Sequence, residues 1–398
     1  NFSRIAVRNN HAITENLFLS ISELFFPFFP EATTWSKIGR KYFEEEISYQ
    51  IYNDGAFLQH SMNYHRVLIQ LFCLGISITE KFNKPFSSIV YDKAYKSLNF
   101  LFQFLQEKNG YLPNYGANDG ALFFQLSDTE YRDYRPQLNT LHKILTNKYI
   151  YEKKDLIEDF IFTNLTYNKF SRLHKKLGVT KFNVGGYYLF RSNNSFSFIR
   201  CVSYKDRPFQ SDNLHLDIWV NGENYLRDNG SFKYNTKVDD LDYFTGTKGH
   251  NTVSIEGENQ MLKGNRFIWY YWIKESKASL KQTHNYYEFD GYIKAFKHLS
   301  KNIIHRRSVK KHISKNLWEI VDTISNSKSL YIYQYWHINP DYLNQIDITA
   351  KDDKGILLTP LIEEKWYSSY YGIKETSIRI TFKTKGNAFK TKINIIDK

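Results

Sequence analysis

Leu214-His215-Leu216-Asp217-Ile218-Trp219-Val220-Asn221-Gly222 is the stretch that decides the fold of the second half of this chain. Leu214, Leu216, Ile218 and Val220 recur with a period of two, so in a strand they share one face. His215, Asp217 and Trp219 share the other, which the alternation predicts to be an outer, solvated face. Asn221-Gly222 then supplies a hairpin turn, whose two central residues need positive φ. Outward from this hairpin, strand-like runs continue through Asn251 to Ile255, Trp269 to Ile273, Ile303 to Val309, Trp318 to Val321, Leu330 to Trp336, Ser377 to Phe382 and Lys390 to Ile396. Strands that follow one another without helices between them form antiparallel sheets, and a stacked β-sandwich is expected over residues 181–398.

Upstream of the basic stretch Lys169 to Lys181, which reads as a linker, the period changes. Ile13, Leu17, Ile21 and Leu24 recur at helical spacing and stop at the Pro27 to Pro30 segment; Val67, Leu68, Leu71 and Leu74 do so after Asp54-Gly55. Further helical runs are expected near 34–50, 88–107, 134–147 and 152–163, so residues 1–168 read as a helical domain. Glycine-bearing loops interrupt it, notably Leu112 to Gly120, and such loops are where a helical scaffold grips ligands. No internal repeat of fixed period is present.

The chain has 398 residues, enough for two or three domains. Lys plus Arg number 54 against 41 Asp plus Glu, a net charge of +13, and the sequence pI is near 9.3. That balance selects anionic ligands: nucleic acid, a membrane surface or an acidic polysaccharide. Aromatics make up 17% of residues, which offers flat faces for sugar rings or bases beyond what strands consume. No zinc finger, RNA-recognition signature or basic helix accompanies them, which argues against nucleic acid. Cys73 and Cys201 are the only cysteines, too few for a disulfide framework or a four-cysteine metal site. No apolar stretch reaches the ~18 residues of a membrane span. The chain opens on Asn1 rather than methionine, as a processed chain or a fragment would, so a signal peptide is neither seen nor excluded. Its sequence sets no oligomeric state.

Asn10, His11, Glu15 and Tyr64 carry chemistry together. A lyase that cleaves beside a uronic acid must remove the C5 proton, which is barely acidic while the neighbouring carboxylate keeps its charge. A donor aimed at that carboxylate stabilises the enolate-like transition state by roughly 3 to 4 kcal/mol in comparable oxyanion sites, and Asn10 suits that task. A base and an acid contribute roughly 100 to 10,000-fold each, and His11 and Tyr64 are candidates for both. On a helix Glu15 shares a face with His11 and is expected to hold its imidazole in one tautomer. The same residues admit a plainer reading, with Asn10 as a helix N-cap and His11–Glu15 as a surface pair. Arg135 and Arg207 are candidates to fork onto a uronate, and Gln59 and Asp119 to bond sugar hydroxyls.

In order along the chain, Asn9-Asn10-His11 with Glu15, Asp54-Gly55 with Ser61, Tyr64 and His65, and Asn118-Asp119-Gly120 are followed by Asp212, Asp228-Asn229-Gly230 with Tyr234, and Tyr243-Phe244-Thr245 leading to His250-Asn251-Thr252-Val253. Arg307-Ser308-Val309, Trp318 with Asp322, His337 with Pro340, and Ser369 with Tyr371-Gly372 continue the series. This order resembles the heparinase II/III-like polysaccharide lyases. The resemblance implies an N-terminal (α/α) toroid, a C-terminal antiparallel β-sandwich, β-elimination on an acidic polysaccharide, and catalytic roles for Asn10, His11 and Tyr64. It also implies a periplasmic or secreted setting. The helical half is short for a complete toroid, which predicts further helices upstream of Asn1.

Members of that family carry a histidine just ahead of the segment matching Asp212, for catalysis or for a structural metal shared with a later aspartate and histidine. Here Pro208 and Gln210 fill that stretch, while Asp228 and His250 match the later positions. The resemblance therefore implies no required cofactor, with a structural zinc or calcium at Asp228, His250 and Gln210 as an open alternative; a carboxamide is a poor zinc partner. His215 and Asp217 are the residues placed to compensate. Two other functions compete: a toroid glycosidase using Asp54 and Asp119 as its carboxylate pair, and a glycan-binding protein without activity.

Overall fold

In the structure, a computed structural model that describes residues 2–158, 162, 170–171, 173–327 and 330–396, the helical periods become α1 (Phe2–Ala6), α2 (Asn10–Ser20), α3 (Ser22–Phe25), α4 (Ala32–Gln50), α5 (Met62–Lys81), α6 (Ser88–Phe104) and α7 (Arg135–Thr146). They belong to one compact unit, Asn1–Leu112 with Ala121–Lys175. α5 is its centre: Val67, Leu68, Ile69, Leu71 and Phe72 are all buried. α2 packs along α4, and Gly39 permits the approach, since a Cβ there would stand 2.4 Å from the Ser20 nitrogen. α7 starts with Pro136 in its first turn and stops at Asn147 in the left-handed region, φ 57. The helix expected over 152–163 does not form among the described residues before 159: only Lys154–Leu156 makes a 3-10 turn. Residues 159–161 and 163, the expected boundary at 168, and Lys169 at the head of the linker lie outside the described residues.

The second unit comprises Lys176–Lys398 and, unexpectedly, Pro113–Gly120. Its nine-stranded sheet runs Gly178–Phe182, Tyr187–Arg191, Ser195–Arg200, Leu216–Val220, Glu223–Leu226, Ile332–Ile338, Glu375–Thr384 and Leu361–Tyr367, with Val253–Ile255 also paired to Ile332–Ile338. A six-stranded sheet runs Ile346–Asp352, Ala388–Ile395, Leu317–Ser325, Ile304–His312, Tyr286–Lys294 and Ser276–Gln282. All their pairings are antiparallel. Leu216, Ile218, Val253 and Trp336 of the first sheet and Phe289, Val309, Trp318 and Phe389 of the second share one core, which is the sandwich. Asn221 and Gly222 turn the hairpin with φ 51 and 79. A further helix, α8 (Val238–Thr245), interrupts the strands where none was expected.

One expectation about this hairpin is overturned. His215 and Asp217 are fully buried, and the whole strand Leu216–Val220 is buried on both faces. The reason is a covering layer: Tyr115, from the Pro113–Gly120 segment of the same unit, and His250 both lie against the His215 ring, at 6.1 and 5.9 Å between centroids. Cys73 and Cys201 are free and buried. Among the described residues no helix is long and apolar enough to cross a membrane.

Candidate active site

The first turn of α2 presents Asn10 and His11. Asn9, not Asn10, is the N-cap: its side-chain oxygen accepts from the His11 backbone N–H at 3.0 Å. Asn10 is thereby released from capping. Its backbone N–H donates to Gln59 Oε1 at 2.9 Å, and its side-chain oxygen is buried with no partner among the described residues. A buried carboxamide oxygen left unbonded costs about 1 to 3 kcal/mol; it can take only a donor such as a hydroxyl, so a carboxylate would have to be met by the Nδ2 end of the same group. His11 is exposed beside it.

Tyr64 occupies the first turn of α5, where Ser61 caps the helix and accepts the Tyr64 N–H at 3.0 Å. Its side chain is buried, and α2 and α5 pack against each other. Gln59, in the loop entering α5, reaches the Asn10 backbone, so the start of α2 and the approach to α5 are joined by a direct bond.

Other expected partners stand elsewhere. Glu15 does not orient His11: its carboxylate accepts the Ser3 hydroxyl, and no hydrogen bond or ion pair joins His11 to Glu15 among the described residues. α1 lies against this face of α2 and takes the carboxylate first. Arg135 is not free to fork onto a sugar acid, because Asp133 already receives its fork, with Nε at 2.9 Å and Nη2 at 2.6 Å. Asp54 is bound into its turn, accepting the Ala56 N–H at 3.3 Å. Next to it Gly55 has φ 92, and a Cβ would stand 2.2 Å from the Lys96 carbonyl, so Asp54-Gly55 serves chain reversal.

In the strand unit Arg207 is exposed and Asp119 half-buried, in the Asn118–Gly120 turn that Ser231 pins by accepting the Asn118 N–H at 2.9 Å. Of the expected trio, Asp228 and His250 stand together with His215 beside them, while the Gln210 side chain donates to the Phe244 carbonyl at 3.4 Å. His215, Asp228 and His250 offer ligand atoms all within 4.8 Å of one another, every residue buried. His250 Nδ1 donates to Asp228 at 2.7 Å. Burial works to lower the His250 pKa, but the Asp228 carboxylate outweighs it and the net shift is upward. Burial holds His215 down to about 4 despite Asp228. The Nε2 atoms of both rings are buried without a hydrogen bond among the described residues, His215 Nε2 standing 3.6 Å from Asp217, while the Nδ1 atoms face Asp228 at 3.9 and 2.7 Å; two imidazoles and a carboxylate are donor types that suit a divalent cation. His215 is one of the two residues the sequence offered to compensate for Gln210, although alternation alone assigned its face to solvent.

Below this layer Tyr115 donates to Asp212, Tyr204 donates to the other Asp212 oxygen at 2.7 Å, and Arg200 donates to the Tyr115 hydroxyl at 2.6 Å. Asp212 is thus a structural anchor that binds Pro113–Gly120 into the strand unit.

Comparison with known proteins agrees with this architecture. The model described as heparinase II/III N-terminus matches residues 2–115, and that described as heparinase II/III-like, C-terminal, matches residues 174–396. A heparin-sulfate lyase of Bacteroides stercoris is 26% identical over 332 residues, covering 81% of this chain and 45% of the relative. Among solved structures, a heparinase III superposes with a TM-score of 0.75 at 14% identity over 98% of this chain and 61% of that one. The heparan sulfate lyase HepC of Pedobacter heparinus gives a TM-score of 0.70 at 16% identity, covering 99% and 61%. The chain spans about half the length of the curated relatives it matches.

Proposed function

Because the chain belongs to the heparinase II/III family, we propose that it cleaves a uronic-acid-containing polysaccharide by β-elimination. The observation that carries this reading is the placement of Asn10 in the first turn of α2, relieved of capping by Asn9 and tied through its backbone and Gln59 to the loop before Tyr64. The names of the relatives, all heparin-sulfate lyases, support a sulfated glycosaminoglycan as the first substrate to test.

In the proposed cycle the Asn10 amide donates to the uronate carboxylate and draws charge from C5 as the enolate forms. A base takes the C5 proton, the C4–O bond breaks, and a double bond forms between C4 and C5. Tyr64 gives its phenolic proton to the departing oxygen. With a substrate syn at C4 and C5 the same phenol, ionised, takes the proton first; with an anti substrate His11 is the base. Arg207, which makes no ion pair with a described residue, and Asp119 are assigned to binding the glycan. A divalent cation in the strand unit would be held by His215, Asp228 and His250 and would cross-link the hairpin strand to the loop before Val253–Ile255; the elimination does not pass through it.

The test is a panel of heparan sulfate, heparin, chondroitin sulfate, hyaluronan and alginate, followed by ultraviolet absorbance for unsaturated ends. Absorbance should grow with at least one polymer. Chain shortening without absorbance would mean hydrolysis, and no shortening of any would leave a binding protein; either result sinks the proposal.

A further inference from the structure

One peptide group, the one joining Asn9 to Asn10, is held at both of its polar ends by glutamine side chains. On one side Gln50 Nε2 donates to the Asn9 carbonyl at 3.0 Å. On the other Gln59 Oε1 accepts the Asn10 N–H at 2.9 Å. That N–H is one of the four a helix leaves unpaired at its start, so ordinarily water or a cap would take it.

The Gln50 clamp is itself fixed. Its Nε2 also donates to Glu46 Oε2 at 2.8 Å, and both side chains are fully buried. Turning the carboxamide over would set an oxygen against two acceptors, so one orientation survives. Arg4 Nε anchors Glu46 in turn at 2.9 Å, with Arg8 at 3.4 Å. Asn9 adds its cap to the His11 N–H at 3.0 Å. A relay therefore runs from two half-buried arginines through the buried Glu46 and Gln50 to a single peptide plane, and Gln59 closes it from the far side. The orientation of that plane sets the direction in which Asn10 projects its amide.

We propose that Gln50 and Gln59 are positioning residues for the Asn10 carboxamide, an inference that rests on Asn10 being the donor to the uronate. It reassigns Gln59, whose oxygen serves the α2 backbone rather than a sugar hydroxyl. Elimination is sensitive to such placement, because an error of about 1 Å in a reacting group can lower a rate roughly 100-fold.

A double-mutant cycle on the panel polymer cleaved fastest tests this. Gln59→Met removes the acceptor and keeps the side chain's length; Gln59 is only half-buried. Its kcat should fall roughly 10- to 100-fold while KM stays within about twofold. In the Asn10→Ala background the same change should do nothing further, since the amide it positions is gone. Multiplying losses in the double variant, or a loss that appears in KM, would overturn the inference while leaving Asn10's role intact. Wild-type kcat in Asn10→Ala alone would overturn that role and the inference with it. If circular dichroism shows Gln59→Met unfolded, Gln50→Met enters the same cycle with the same expected outcome.

Discussion

Tyr64 is the residue on which binding and turnover should separate. Replacing it with phenylalanine removes only the hydroxyl, and the ring continues to fill its buried place on α5. As the proton donor to the leaving oxygen it should be worth roughly 100- to 10,000-fold in kcat, with glycan affinity kept. Equal kcat in Tyr64→Phe and the parent, measured by growth of unsaturated ends, would remove the phenol from the mechanism. At this scale the sequence was legible where a feature depends on residue type and near neighbours, as for the helix start at Asn9-Asn10. It was misleading where a role depends on what another element offers. Glu15 has the right spacing for His11, yet Ser3 of α1 takes its carboxylate. Arg135 has the right fork, yet Asp133 fills it. His215 looked solvated because period two cannot show that a loop covers the second face of a strand.

The helices that carry Asn10 and Tyr64 begin with side-chain caps, so the caps fix where the proposed catalytic side chains leave the backbone. Ser61 receives the N–H of Tyr64 itself. Ser61→Ala should lower stability by about 1 kcal/mol, read as a shift of the urea midpoint, and should slow turnover in the same variant. An unchanged midpoint would show that the cap contributes nothing. Periodicity located α2, α4, α5, α6 and α7 and the hairpin at Asn221-Gly222. It did not locate α8, or the strands Gly178–Phe182, Tyr187–Arg191 and Ser195–Arg200. Tyr187–Phe190 is an unbroken aromatic and apolar run buried throughout, so it carries no period-two signal, and Ser195–Phe198 alternates but is buried on both faces.

For the molecule as a whole, acid is the condition to vary. Burial holds the His65 pKa down to about 3 in the helical unit, where the ring stacks on Phe100 at 5.2 Å between centroids. An unfolded imidazole titrates near 6.5. Between these values the unfolded chain binds a proton that the folded chain refuses, so stability falls as pH drops from about 6.5 towards 3. The slope is up to about 1.4 kcal/mol per pH unit for one such group. His215 acts in the same direction in the strand unit, and His250, whose pKa is raised, opposes it. His65→Leu should flatten the fall in the urea midpoint between pH 7 and pH 5 for the helical unit. An equally steep fall in that variant would assign the acid sensitivity elsewhere.

The polypeptide leaves the helical unit after Leu112, spends Pro113–Gly120 in the strand unit, returns, and crosses again after Lys175. Scissors applied once between the halves would therefore cut the wrong object. A strand half expressed from Lys176 onward lacks Tyr115, and leaves the Asp212 carboxylate and the Arg200 guanidinium facing a hole where its phenol belongs. Supplying the short peptide Pro113–Gly120 in trans is the way to give that half back its missing stitch.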